Sequence, residues 1–214
     1  VTNASRTLLM DLHTLNWMED VINRLDIPLD SLPSIKPSMF NYGTNEGILK
    51  NVPITAVLGD QQASLFGQNC IASGDVKNTY GTGCFALTNT GSEIVHSNNG
   101  LLSTVAYQKD GDKPQYAIEG SVSIAGAAVQ WLRDNLNIIK ESSEVEALAM
   151  AEKDNGDVYF VPAFSGLFSP HWDETARGVL VGLSRFSNKS HIARAVLESV
   201  AYQSNELLES MEKD

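Results

Sequence analysis

Two short stretches of this chain carry residue types that together suit the transfer of a phosphoryl group to an alcohol. The first is Leu58-Gly59-Asp60-Gln61-Gln62, and the second is Asn78-Thr79-Tyr80-Gly81-Thr82-Gly83-Cys84-Phe85. Asp60 follows the apolar run Ile54-Thr55-Ala56-Val57-Leu58, which reads as a buried strand, and precedes a helical-looking segment from Gln61 to Gln68. A carboxylate displayed at a strand end can accept a proton from a bound hydroxyl. In the second stretch two glycines flank a threonine, so backbone N–H groups and one hydroxyl can approach phosphate oxygens closely. Neither motif is specific alone. Position by itself favours a helix N-cap role for Asp60, and Gly81-Thr82-Gly83 by itself favours a β-hairpin turn.

The elements that must carry these residues follow from pattern. Leu8, Leu9, Leu12, Leu15, Met18 and Ile22 have helical spacing between Asn3 and Asn23. Pro28, Pro33 and Pro37 then break any helix, and residues 38–51, with Gly43, Gly47 and several polar residues, read as a surface loop. After Cys70 to Gly74, strands are expected at 76–80, 85–89, 101–107 and 116–119. Turns at Gly91, Asn98-Asn99-Gly100 and Asp110-Gly111-Asp112 suggest a meander. Helices are expected at 125–136, 145–152 and 191–213, with a strand at 158–161. There is no internal repeat and no low-complexity segment.

Composition narrows the function classes. Hydrophobic residues make up 43% of the 214, enough to bury a core. Fifteen Lys and Arg against 26 Asp and Glu give a net charge of −11, and the positive residues form no run, which disfavours binding to nucleic acid. Cys70 and Cys84 have neither zinc-site spacing nor the density of a secreted disulfide scaffold, so a reducing, cytoplasmic setting fits. His13, His96, His171 and His191 show no metal-ligand spacing. No apolar stretch approaches the roughly 20 residues of a membrane span.

At these motifs the chain resembles the FGGY family of carbohydrate kinases, specifically its glycerol-phosphorylating branch. The similarity is dense. It includes Val1-Thr2-Asn3-Ala4-Ser5-Arg6-Thr7, His13-Thr14-Leu15-Asn16-Trp17, both motifs above, Gln130-Trp131-Leu132-Arg133-Asp134 and Val161-Pro162-Ala163-Phe164-Ser165-Gly166-Leu167. Gly178-Val179-Leu180-Val181-Gly182-Leu183, followed after seven residues by His191-Ile192-Ala193-Arg194-Ala195-Val196-Leu197-Glu198, matches the family's C-terminal signature.

The resemblance implies an α/β fold of the ribonuclease H-like, actin and Hsp70 ATPase type, with mixed sheets flanked by helices. It divides the chain into 1–70, the end of the family's N-terminal substrate domain, and 71–214, the C-terminal nucleotide domain up to a point before its adenosine motif. The implied activity is ATP- and Mg²⁺-dependent phosphorylation of glycerol to sn-glycerol 3-phosphate by a longer parent. Other polyol or pentulose kinases of the family, or an inactive interaction module of the same fold, are the alternatives. Asp60 would be the general base and, with Gln61 and Phe85, a glycerol contact. Thr82, Gly83, Gly126 and Gln130 would serve the nucleotide, with no metal ligand among the chain's residues. Gly83 is expected to have a positive φ or to lie too close to phosphate for a side chain. A homo-oligomer of the full-length protein is compatible with the resemblance, whereas regulation by fructose 1,6-bisphosphate is not implied, because residues 42–52 lack the Gly-plus-Arg pattern for it.

The family's first phosphate loop, its glycerol-holding Arg-Glu pair and its adenosine motif have no counterpart within these 214 residues. The chain expressed alone is therefore expected to be inactive. A coupled assay for glycerol 3-phosphate should detect no turnover, and calorimetric titration with Mg·ATP should detect no micromolar binding. Either signal would show that these residues suffice without the rest.

Overall fold

A computed structural model describes residues Val1–Asp214. Its elements are α1 (Glu19–Arg24), α2 (Asp60–Gly67), β1 (Val76–Tyr80), β2 (Cys84–Gly91), β3 (Leu102–Tyr107), β4 (Gln115–Val122), α3 (Gly126–Asp134), α4 (Glu144–Ala149), β5 (Tyr159–Val161), β6 (Val179–Val181) and α5 (Lys189–Lys213). The larger sheet has the order β1-β2-β4-β3, so the expected meander is not what forms: β4 lies between β2 and β3. Burial explains the placement. Seven of the eight β4 residues are buried, a pattern suited to an interior strand rather than an edge.

The chain divides into two compact units that interleave along the sequence. The first comprises Val1–Lys77, Leu87–Ser97 and Leu102–Glu119; the second comprises Asn78–Ala86, Asn98–Leu101 and Gly120–Asp214. Strands β1, β2 and β4 each contribute residues to both.

In the first unit β3 and β4 pair antiparallel, with Thr104 opposite Ala117 and Leu102 opposite Glu119. Leu65 from α2 packs with Cys70, Leu87, Ala106 and Ala117, while Met10, Val105 and Tyr116 form a second cluster with Leu12, Trp17 and Ile35 around it. The expected helix over Asn3 to Asn23 is confined to a 3₁₀ turn at Ala4–Arg6 and to α1. Local side-chain hydrogen bonds compete with it. The Asp11 carboxylate accepts from the N–H groups of His13 (2.7 Å) and Thr14 (2.9 Å), and Thr7 Oγ1 accepts from Leu9 N–H (3.1 Å). Leu8 and Leu15 take left-handed backbone conformations, at φ 61° and 55°, which no helix can contain. The residues 53–58 read as a buried strand are extended but largely exposed, and they make only single bridges, Met39 with Ala56 and Thr44 with Pro53. Residues 38–45, taken for loop, supply the partner, with Phe40 and Tyr42 N–H groups bonded to Thr55 and Ile54 carbonyls. A single partner segment leaves the apolar faces of Ile54 and Val57 open.

The second unit is built around α5. Asn188 caps this helix: its side chain accepts from Ser190 and His191 N–H groups, and His191 Nδ1 accepts from the Asn188 N–H in return. Ala193, Ala195 and Val196 of α5 enclose a core with Leu132 and Ala128 of α3, Val145 and Ala149 of α4, and Val158 and Phe160. Trp131 stacks on Phe160 with their rings nearly parallel at 5.4 Å. Gly120 allows α5 to approach β4, since a Cβ there would meet Leu207 Cδ2 at 2.8 Å and Leu101 Cδ2 at 2.9 Å. Strand β6 was not anticipated, because Gly178 and Gly182 bracket only three strand residues; it pairs antiparallel with β5.

Leu132 is fully buried on the face of α3 that meets α5. Replacing it with alanine should lower unfolding stability by about 2–5 kcal/mol through lost transfer energy and the cavity left behind. Denaturant unfolding of the variant against the parent measures this, and a loss within error would exclude Leu132 from the core assigned to it.

Candidate active site

In the first unit the site residues gather at the start of α2. Gly59 occupies the N-cap with extended backbone, and its N–H donates to Thr2 Oγ1 at 3.0 Å. A side chain at Gly59 would meet Gln62 Oε1 at 2.5 Å, so the Gln62 amide would have to shift to admit one. Asp60 is thus the first helical residue rather than the cap, its carboxylate makes no capping bond, and it is exposed.

Behind Asp60 lies a polar network that sequence reasoning missed. Gln61 Nε2 donates to Asp60 Oδ2 at 3.2 Å, and Lys77 Nζ donates to Gln61 Oε1 at 2.5 Å. Lys77 and Glu119 are both buried, at 5% exposure each. Arg6 Nη2 pairs with Glu119 Oε1 at 2.8 Å. Burial pulls the Lys77 ammonium below the usual lysine range, against the opposing pull of the Glu119, Asp60 and Cys70 charges. Burial likewise raises the Glu119 carboxyl, partly offset by Arg6 and Lys77 and reinforced by Asp60. Beneath them Gln62 Nε2 donates to Thr104 Oγ1 (3.3 Å), which shares a hydrogen bond with Ser5 Oγ (2.9 Å). One sequence signal was available: Glu119 continues the apolar run Tyr116-Ala117-Ile118, and a charge there must find a partner.

In the second unit the loop Gly81-Thr82-Gly83 is clamped by the start of α3. Ala125 and Ala127 N–H groups donate to the Thr82 carbonyl at 2.8 and 3.1 Å, and Gly126 N–H donates to the Gly81 carbonyl at 2.9 Å. Gly81 N–H donates to Gly83 O at 2.8 Å, whereas the Thr82 and Gly83 N–H groups have no backbone acceptor. Thr82 is exposed, and the space a Cβ at Gly81 would enter is open but for Gly83 O at 3.9 Å. Two N–H groups without a backbone acceptor, an exposed threonine hydroxyl and the open space at Gly81 make a set of donors that fits an anionic phosphate.

Of the two reasons expected for Gly83, the positive φ is not found, and backbone atoms of the protein itself supply a steric one. A side chain there would strike the Val122 carbonyl oxygen and approach the Ser123 carbonyl at 3.0 Å. Gly126 is required likewise, because a Cβ would sit 2.6 Å from the Gly81 carbonyl oxygen. Gln130 is exposed one turn further along α3, and Phe85 is half-buried on β2. Cys84 is wholly buried and its thiol is raised by burial, the character of a packing residue rather than a nucleophile. No three His, Cys, Asp or Glu side chains converge in a group able to hold a metal ion.

With this geometry in hand, comparison with known proteins is specific. Residues 76–214 match the C-terminal domain, and residues 1–67 the N-terminal domain, of the FGGY family of carbohydrate kinases. The chain belongs to that family. It is 61% identical over 215 residues to a glycerol kinase of Brucella anthropi, covering all of this chain and 43% of the relative. The solved structure of Plasmodium falciparum glycerol kinase with ADP superposes with a TM-score of 0.90 at 43% identity, again over all of this chain and 43% of the other. A ligand-bound xylulose kinase from Lactobacillus acidophilus shares the fold, with a TM-score of 0.83 at 24% identity, covering 98% of this chain and 44% of that one. The fold is therefore the α/β, ribonuclease H-like type of these kinases. The chain spans less than half the length of the relatives it matches.

The two loop glycines separate packing from ligand binding. Gly83→Ala should lower the melting temperature by several degrees, since the obstructing atoms are backbone, while Gly81→Ala should leave it nearly unchanged. Differential scanning calorimetry of both variants tests this, and equal shifts would contradict the geometry given for the loop.

Proposed function

We propose that the full-length protein containing this chain is an ATP-dependent glycerol kinase that makes sn-glycerol 3-phosphate, and that this chain carries part of its active site. The observation that weighs most is Asp60, exposed at the first position of α2, with the Gln61 amide on one carboxylate oxygen and the other left for a substrate hydroxyl. The 61% identity to a named glycerol kinase supports the choice of glycerol over another polyol.

In this reading Asp60 accepts the proton of the attacking hydroxyl, and Gln61 donates to a second oxygen of glycerol, with Phe85 against its carbon backbone. Thr82 Oγ1 and the N–H groups of Thr82 and Gly83 hold the transferred phosphoryl group, donating to oxygens on which negative charge develops. Gly126 acts by fixing the loop, and Gln130 lies where α3 continues past it, toward the nucleotide. Mg²⁺, when bound, supplies neutralisation of the phosphate charge. Residues 1–70 belong to the family's substrate domain and 71–214 to its nucleotide domain. The net charge of −11 argues against a nucleic-acid partner. Two buried free cysteines suit a reducing cytoplasm, and no helix is long and apolar enough to cross a membrane.

The full-length protein, offered glycerol, erythritol, xylulose and ribulose with Mg·ATP, should phosphorylate glycerol with the highest kcat/KM. A higher value for a pentulose would reassign the substrate, and turnover of none would reduce the protein to a non-catalytic member of the fold. Asp60→Asn should cut kcat by roughly 10²-fold or more with an unchanged melting temperature, because the amide cannot accept the proton. An unaltered kcat would remove Asp60 from the role of base.

A further inference from the structure

The buried Lys77 sits two steps from the exposed carboxylate of Asp60, with only Gln61 between them. Its Nζ lies 2.5 Å from Gln61 Oε1, and Gln61 Nε2 lies 3.2 Å from Asp60 Oδ2. The chemistry of the three groups permits one arrangement. An ammonium only donates hydrogen bonds and a carboxylate only accepts them, so the carboxamide between them must turn its oxygen to Lys77 and its NH₂ to Asp60. The reverse orientation would set a donor against a donor and an oxygen against a carboxylate.

We propose that Lys77 is a positioning residue for this site: by holding the Gln61 carboxamide oxygen it directs the amide N–H at Asp60 and fixes the carboxylate for its substrate. This rests on the assignment of Asp60 as general base. The terminal torsion of glutamine has two broad, nearly equivalent wells. Nothing in Gln61 itself therefore selects the orientation; its two neighbours do, and of these Lys77 is the buried one while Asp60 is exposed to water. Lys77 is in turn held by its surroundings. It is buried, so water does not compete for its bond to Gln61, and the neighbouring Glu119 charge, itself paired with Arg6 at 2.8 Å, favours its protonated form. Through the same chain the ammonium polarises the amide, strengthening the bond that Asp60 receives. Replacing a surface lysine costs little, but here a charge is kept in the interior at a desolvation cost, beside a site whose geometry depends on it.

A double-mutant cycle in the full-length protein separates positioning from mere support of the fold. Lys77→Met should lower kcat/KM for the polyol by about tenfold while leaving the KM for ATP unchanged. In a Gln61→Ala background the same change should cost nothing further, because the group through which Lys77 acts is gone. Lys77→Met/Glu119→Gln/Arg6→Leu, which removes the three linked charges together so that none is left without its partner, should keep the same kinetic loss with a melting temperature restored toward the parent. An additive cycle, or a loss that disappears when stability is restored, would overturn the proposal. A crystal structure of Lys77→Met provides a readout independent of turnover: the Gln61 amide should leave Asp60 or lose a single orientation. An unchanged Gln61–Asp60 bond would overturn the proposal even if the parent phosphorylated no polyol, whereas absence of turnover in the parent would count against the kinase reading alone.

Discussion

The hydrogen bonds between the start of α3 and the Gly81-Thr82-Gly83 loop are the constraint on which the second unit's candidate site depends. A helix begins with N–H groups that have no partner within it. Here three successive donors, from Ala125, Gly126 and Ala127, are satisfied by the carbonyls of Gly81 and Thr82. With those carbonyls turned to the helix, the N–H groups of Thr82 and Gly83 are left without backbone partners. One set of bonds therefore closes the helix end and leaves two loop N–H groups without a backbone acceptor. The glycines follow from the same contact. Gly126 lies under the Gly81 carbonyl, and Gly83 lies against the carbonyls of Val122 and Ser123, so side chains at either place would force apart the backbone segments that meet at this loop.

The first unit answers a different problem, which is how to keep charges beneath a solvent-exposed carboxylate. Lys77 and Glu119 are both buried, and neither could remain so alone, since the cost of moving an isolated charge out of water far exceeds what packing returns. Arg6 pairs with Glu119, Lys77 bonds to Gln61, and Gln62, Thr104 and Ser5 complete a hydrogen-bonded layer below. A network satisfied in this way specifies orientation more than it adds stability. Its output at the surface is the placement of Asp60 and Gln61 at the first turn of α2.

Several elements were legible without coordinates because local chemistry and tertiary packing favour the same answer. The strands around 76–80, 84–91 and 102–107 are short runs with β-branched and aromatic residues bounded by turn residues, and α5 has an apolar stripe with a polar cap. The segment from Asn3 to Asn23 was misleading for a definable reason: its leucines have helical spacing, but Asp11 and Thr7 spend their side chains on nearby backbone N–H groups. Periodicity records which residues are apolar and is blind to such competition. The run 54–58 failed differently, since apolar composition alone does not say whether a second partner strand exists.

What the amino-acid order determined by itself was the set of chemical parts: an acid after a glycine at a helix start, a threonine between glycines, and a dense family resemblance, all of which are local in the chain. Tertiary structure decided what surrounds them. Only the fold brings Lys77 to Gln61 across 16 positions and Arg6 to Glu119 across 113, and only it sets the start of α3 on the Gly81 and Thr82 carbonyls. It also brought the Val122 and Ser123 carbonyls against Gly83, where they exclude a side chain without any positive φ. The physical cause is the same in each case. Burial and hydrogen-bond partnership are properties of atoms distant in sequence and adjacent in space, so no pattern read along the chain contains them.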